Sequence, residues 1–244
     1  MKTARVRLCL SLPALFLIQA ANAQAPRKLF VTPEQLNAAS ILPSPPANNS
    51  SKTLEELADL HRIQNMRSAE QVAHAQADDK EESMFAFADV VGPRFNRTSL
   101  PLTALLSDHV KANESVIVNP AKIFFQRPRP YHLDPTLRPV CKTTENLTDY
   151  SYPSGHGTTG YLEALVLIQM MPEMRDAILT RADDYAHSRE VCGVHYASDE
   201  AASKLVAHAI IGLMFNNPEF TAELEAAKIE LRGALAIPPV AKKQ

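Results

Sequence analysis

Apolar residues recur at three- and four-residue intervals along most of the chain, and no stretch alternates strictly between apolar and polar positions. That spacing lines one face of a helix, whereas a half-buried strand shows a two-residue alternation. Leu57, Leu60 and Ile63 follow Thr53-Leu-Glu-Glu56, a capping box that predicts a helix start. Ser68-x-x-Gln71 is a second such box and leads into Val72, Ala73 and Ala77. Leu102, Leu105, Leu106, Val110 and Val116-Ile117 predict a helix ending before Pro120. Pro120 suits the first turn of a further helix carrying Lys122 to Gln126. Helical spacing resumes over about 157–171, 173–191, 198–216 and 219–232. Between them, Pro130 to Pro153 has no steady period and is expected to form a long loop, a kind of segment that is often functional. The pattern predicts an all-α chain with a single helical domain over residues 51–244.

Two segments precede that domain. Residues 24–50 contain Pro26, Pro33, Pro43, Pro45 and Pro46 and are expected to form an extended or disordered leader. Residues 1–23 have the three parts of a secretory signal: basic Lys2, Arg5 and Arg7, an apolar run from Leu8 to Ile18, and the small-x-small site Ala21-Asn22-Ala23. A membrane anchor needs about 20 apolar residues, and this run is too short. Leu162–Met171 and Leu205–Phe215 are also short and carry Glu163 and His208. A periplasmic or secreted protein without membrane insertion is expected.

Composition narrows the chemistry. Only 7 of 244 residues are glycine, and neither G-x-G-x-x-G nor G-x-x-x-x-G-K-[ST] occurs, so the glycine-rich phosphate loops are excluded. Net charge is −2, and removal of residues 1–23 takes away three cations and no acid, leaving −5. Such a balance makes no case for nucleic acid as a partner. Of three cysteines, Cys141 and Cys192 remain after cleavage, and they either pair in an oxidising compartment or stay as buried thiols. No C-x₂-C or H-x₃₋₅-H pair accompanies them, so no metal site is expected.

Three segments carry the candidate chemistry: Lys122-Ile-Phe-Phe-Gln-Arg-Pro-Arg129-Pro130, Tyr152-Pro153-Ser154-Gly155-His156, and Ser188-Arg189-Glu-Val-Cys-Gly-Val-His195-Tyr-Ala-Ser-Asp199. Arg129 and Arg189 can offer forked hydrogen bonds to a phosphate, and Lys122 a compact charge. Ser154 and Gly155 stand where a helix begins, with free backbone N–H groups and the positive end of the dipole. His195 and Asp199 are four apart, so a carboxylate on Nδ1–H would leave Nε2 as a lone-pair nucleophile. His156 has no carboxylate at that spacing and suits an imidazolium that donates to a leaving oxygen. One neutral and one charged histidine imply activity at mildly acidic pH. Taken singly, Lys122 and Asp199 have the composition of solvated surface charges and His195 that of an ordinary packed histidine. Their order and spacing together are what point to a phosphate site. Ser154 as a nucleophile is disfavoured, because Tyr-Pro-Ser-Gly-His lacks the first glycine of G-x-S-x-G. His61, His74, His187 and His208 have no comparable support.

In this order, K-x₆-R-P, P-S-G-H and S-R-x₅-H-x₃-D resemble the signature of the type 2 phosphatidic acid phosphatase superfamily, which includes bacterial class A non-specific acid phosphatases, membrane lipid phosphatases and vanadium haloperoxidases. Over about residues 50–232 the chain is most similar to the secreted class A enzymes. The resemblance implies a helical bundle of that kind, small phosphomonoester substrates, no cofactor and a homodimer. It also implies His195 as the nucleophile oriented by Asp199, His156 as the acid, and Lys122, Arg129, Ser154, Gly155 and Arg189 as phosphate ligands. Transfer to an alcohol in place of water would be a side activity. The chain departs from the class A pattern in two ways: Tyr150 and Gly157 flank the second motif where Gly and Thr are usual, and Pro128 precedes Arg129. Arg127 is a rival phosphate ligand, but it lies two residues short of the expected spacing from Lys122. The alternatives are a vanadate-dependent haloperoxidase, usually a much longer chain, and an exported phosphate-binding protein without turnover, which would need neither histidine.

Overall fold

A computed structural model describes residues 28–238, so the expected signal segment lies outside the described residues. Among the described residues the secondary structure is helical throughout, with no strand. The element order is α1 (Ala38–Ile41), α2 (Ser51–Met66), α3 (Ala69–Asp78), α4 (Ala88–Val91), α5 (Pro101–Phe125), α6 (Pro130–Leu133), α7 (Gly155–Met170), α8 (Arg175–Cys192), α9 (Ala197–Met214) and α10 (Pro218–Leu235). Short 3₁₀ turns at Met84–Phe87 and Pro172–Met174 join some of them.

Helix α7 is the axis of the bundle. Its buried residues include Leu162, Ala164, Val166, Leu167 and Met170, which fall on all sides of the helix. A helix apolar all round must be covered all round, and α5, α8, α9 and α10 pack against it. Because α7 begins with Ser154-Gly155-His156, burying its body brings its N-terminus to the place where the ends of α5 and α8 also arrive.

Three boundaries differ from the sequence expectation. Helix α2 starts at Ser51, and Ser50 caps it by accepting from the Thr53 N–H, so Thr53 and Glu56 are interior residues. Helix α5 does not stop before Pro120. It runs through to Phe125 with Pro120 inside it. Asn119 and Pro120 lie on the exposed face, while Ile117, Val118 and Ala121 are buried, so core packing holds the helix across the missing N–H. The folded unit also begins before residue 51. Phe30, Val31, Leu36, Ala38 and Leu42 belong to the main core, and Asn113 Oδ1 accepts from the backbone N–H groups of Phe30 (2.7 Å) and Val31 (2.8 Å). Enough apolar residues sit between the prolines to bury the segment, which the proline count concealed. The Ser68–Gln71 capping box is present as expected.

The loop between α6 and α7 is tied down at both ends. Cys141 and Cys192 form a disulfide, 51 residues apart in sequence. Val140 N–H donates to the Cys192 carbonyl (3.0 Å), and Ser151 N–H to the Arg127 carbonyl (2.8 Å).

Candidate active site

The ends of α5, α7 and α8 converge. Lys122 is in the last turn of α5, which closes on Gln126 in the left-handed region (φ 52°). Arg129 follows in an extended conformation before α6. Ser154 caps α7, its Oγ accepting from the Gly157 N–H at 3.1 Å. Arg189 is in the last turn of α8, which closes on Gly193 at φ 76°, a conformation suited to a residue without a Cβ. That turn delivers His195, and Asp199 stands in the first turn of α9. All eight sequence-predicted site residues are brought into one region.

His195 is the centre of the arrangement and only 1% exposed. Its Nδ1 lies 3.1 Å from Asp199 Oδ2, and its Nε2 lies 2.9 Å from Arg129 Nη1. A guanidinium can only donate, so Nε2 is the acceptor and the proton of a neutral ring is on Nδ1, facing the carboxylate. Burial, then the cations Arg129, Lys122 and Arg189, push its proton affinity well below the usual histidine range. The ring is therefore neutral, with its lone pair directed at Arg129.

Each of the three cations has protein partners. Arg129 donates to the Asp149 carboxylate (Nη2–Oδ1 3.1 Å) and to the Val194 carbonyl (3.1 Å). Arg189 Nη1 is 2.6 Å from Asp79 Oδ1. Lys122 Nζ donates to the carbonyls of Tyr150 (2.7 Å) and Ser151 (3.3 Å), and burial beside Arg129 brings its pKa down to about 8. His156 Nε2 donates to the Asp79 carbonyl (3.3 Å) and lies 3.6 Å from Glu82 Oε1. Burial and Arg189 push it down to about 4.

Arg127 is not a phosphate ligand. It is 2% exposed and bridges Glu56 and Asp199, with Nη2–Oε2 at 2.8 Å and Nη1–Oδ1 at 2.7 Å. Arg129, at the expected spacing from Lys122, faces His195 instead, so the two arginines have different partners. Several site residues escaped the sequence reading. Glu56 has the position of a capping-box glutamate, Ser151 donates to Asp199 Oδ2, and Glu114, Glu200, Asp79 and Asp149 carry no local signal. The flank at Gly157 also has a tertiary explanation. A Cβ there would sit 1.9 Å from Glu200 Oε2, so the glutamate fills the space that a side chain at 157 would need. Both Glu200 oxygens are buried, and burial raises the carboxyl well above its usual range.

An all-helical bundle that gathers three cations, a helix N-terminus and a carboxylate-oriented histidine is of the phosphoryl-transfer class. Residues 104–221 match the model of the PAP2 superfamily. The chain is 30% identical over 209 residues to a non-specific acid phosphatase of Salmonella typhi, covering 83% of both chains. It is 29% identical over 202 residues to a non-specific acid phosphatase of Providencia stuartii, covering 81% of this chain and 82% of that one. An acid phosphatase of Zymomonas mobilis is 34% identical over 151 residues, 61% of this chain and 56% of its own. The chain belongs to the PAP2 superfamily, among its class A-type acid phosphatases.

Proposed function

We propose that the protein hydrolyses small phosphate monoesters at acidic pH through a phosphohistidine intermediate. The observation that carries this reading is the double fixation of His195, Nδ1 on Asp199 and Nε2 against Arg129. A lone pair held against a guanidinium is placed beside the oxygens of any phosphate that guanidinium binds.

In the first step Nε2 attacks phosphorus. The N–P bond forms as the bond to the leaving oxygen breaks, and His156 gives its proton to that oxygen. Lys122, Arg129, Arg189 and the N–H groups at Ser154 and Gly155 spread the charge on the phosphoryl oxygens. In the second step water attacks phosphorus, His156 takes its proton, and the N–P bond breaks to release phosphate. An alcohol in place of water gives phosphotransfer. His156 must be protonated for the first step, and a substrate dianion between it and Arg189 offsets the charge that depresses its pKa. Rate therefore falls as pH rises past the pKa of His156 in the complex, and falls at low pH where His195 becomes protonated.

Export to the periplasm or beyond is supported by the three-part pattern of residues 1–23 and by a disulfide in the folded chain. Among the described residues no helix is long and apolar enough to cross a membrane. The test is hydrolysis of para-nitrophenyl phosphate over pH 4–8, with and without EDTA, for the wild type and His195→Ala. Acid-favoured, EDTA-resistant activity that is absent from the variant is expected, with an acid-labile phosphoenzyme in the wild type. Full activity in His195→Ala sinks the phosphohistidine reading.

A further inference from the structure

The nucleophile's carboxylate is itself held by a buried ion-pair chain. Asp199 Oδ2 accepts from His195 Nδ1, the Tyr196 N–H (3.0 Å) and Ser151 Oγ, while Oδ1 faces Arg127 Nη1 at 2.7 Å. Arg127 in turn reaches Glu56 Oε2 (2.8 Å) and Ser198 Oγ (2.7 Å), and its guanidinium lies over the Tyr196 ring, 3.8 Å from the centroid. Glu56 Oε1 accepts from the Ser198 N–H at 2.8 Å, at the start of α9. Glu56 and Arg127 side chains are each 1% exposed, and Asp199 is fully buried. The chain thus runs Glu56, Arg127, Asp199, His195, from α2 to the imidazole, the first three alternating in charge.

A buried ion pair is weak evidence of stabilisation by itself, because desolvation offsets much of the attraction. This one differs in where it ends. Both oxygens of Asp199 are held by donors, Oδ2 by three and Oδ1 by Arg127, so the carboxylate is fixed against His195 and its charge is partly neutralised on the side opposite the imidazole. How strongly His195 binds a proton then depends on Arg127, and the strength of Arg127 depends on Glu56.

We propose that Arg127 and Glu56 are positioning residues that lock Asp199 and set the proton affinity of the His195 nucleophile from a distance. The inference rests on His195 being the nucleophile. The groups facing His195 are Arg129, Lys122, Arg189 and His156 on one side and Asp199 on the other, and Arg127 and Glu56 act only through the last. Charge logic assigns opposite signs to the two residues. Without Arg127, Asp199 is less neutralised, His195 holds its proton more tightly, and the acid limb of the kcat–pH profile moves up. Without the Glu56 charge, Arg127 offsets Asp199 more fully, and the limb moves down.

The experiment compares kcat–pH profiles from pH 3 to 8 for wild type, Arg127→Met, Glu56→Gln and Arg127→Lys, each checked for folding by thermal unfolding, with His195→Ala as reference. Arg127→Met is expected to move the acid limb up by about one pH unit and to lower kcat ~100-fold with KM nearly unchanged. Glu56→Gln is expected to move the limb down by about half a unit. Arg127→Lys keeps the charge and loses the fork, so its limb stays near wild type while kcat falls. If Arg127→Met does not fold, the Glu56→Gln shift and the Arg127→Lys pattern decide. Limbs that do not move, or that move in the same direction in both charge-removing variants, overturn the proposal. An active His195→Ala overturns instead the reading on which it rests, so the two failures are distinct.

Discussion

Glu200 and Gly157 form a pair that only makes sense together. The glutamate's carboxyl occupies the volume beside α7 where any side chain at 157 would go, with the nearest oxygen 1.9 Å from an ideal Cβ. Gly157→Thr is therefore expected to destabilise the fold by about 2 kcal/mol or more, measured by chemical denaturation. Adding Glu200→Ala, which removes the clash and a fully buried carboxyl, is expected to recover most of the loss. Additive destabilisation in the double variant would show that the two sites do not compete for space. His156 makes a second residue-scale prediction, this one kinetic. A proton donor matters most when the leaving oxygen is strongly basic. His156→Ala should lose on the order of 100-fold in kcat with an alkyl phosphate and much less with para-nitrophenyl phosphate. Equal losses on both substrates would contradict its role as acid.

At the scale of elements, the site depends on how the segment between α6 and α7 is anchored. That segment supplies Asp149, which holds Arg129, and the Tyr150 and Ser151 carbonyls, which hold Lys122. The Cys141–Cys192 disulfide fastens it to the end of α8, three residues before His195. A closed loop of this length restricts the unfolded chain by about 4 kcal/mol in the loop-entropy picture. Cys141→Ser/Cys192→Ser should show a comparable drop in unfolding free energy and a lower Tm, while a double variant as stable as the wild type would mean the disulfide adds little. Local signals served well for some of these elements. Ser68 and Gln71 form the box expected of them, and α8 and α9 lie close to their predicted spans, because apolar spacing and caps act within a few residues. Pro120 misled because helix propensity is a local preference, and burial of Ile117, Val118 and Ala121 outweighs it.

Across the whole molecule, several buried ionisable groups couple stability to pH. Burial raises Glu114 to about 7, and holds Glu163 and Glu200 well above the usual carboxylate range. A raised carboxyl adds stability that is present below its unfolded pKa and is lost as pH climbs through its folded value. His156 and His195 are depressed and act in the opposite sense, losing stability as pH falls below about 6.5, their unfolded value. Between about pH 4.5 and 6.5 the two sets oppose each other. Above pH 6.5 the unfolded histidines are already neutral, so up to about pH 8, where Lys122 begins to lose its proton in the fold, the raised glutamates and His187, raised by Glu190, set a falling slope. Unfolding free energy should decline between about pH 6.5 and 8, and less steeply in Glu163→Gln; a wild-type curve that rises across that window would contradict the assignment. The N-terminal arm contributes at the same scale. Asn113→Ala leaves the Phe30 and Val31 N–H groups buried without a partner, at a cost of about 2–4 kcal/mol.

The sequence by itself determined the helical class, the approximate spans of α7 to α10, and the order and spacing of the eight candidate site residues. Each of these is written in short-range spacing, of apolar faces or of K-x₆-R-P, P-S-G-H and S-R-x₅-H-x₃-D. Only the tertiary structure decided that Arg127 serves Asp199 and Arg129 faces His195, that Glu56 joins the chain behind the nucleophile, and that Glu200 takes the space beside Gly157. Those partners lie 43 to 72 residues apart, and no local pattern encodes which buried charge meets which. Charges are placed by the burial of the helices that carry them, and that is settled when the whole core closes.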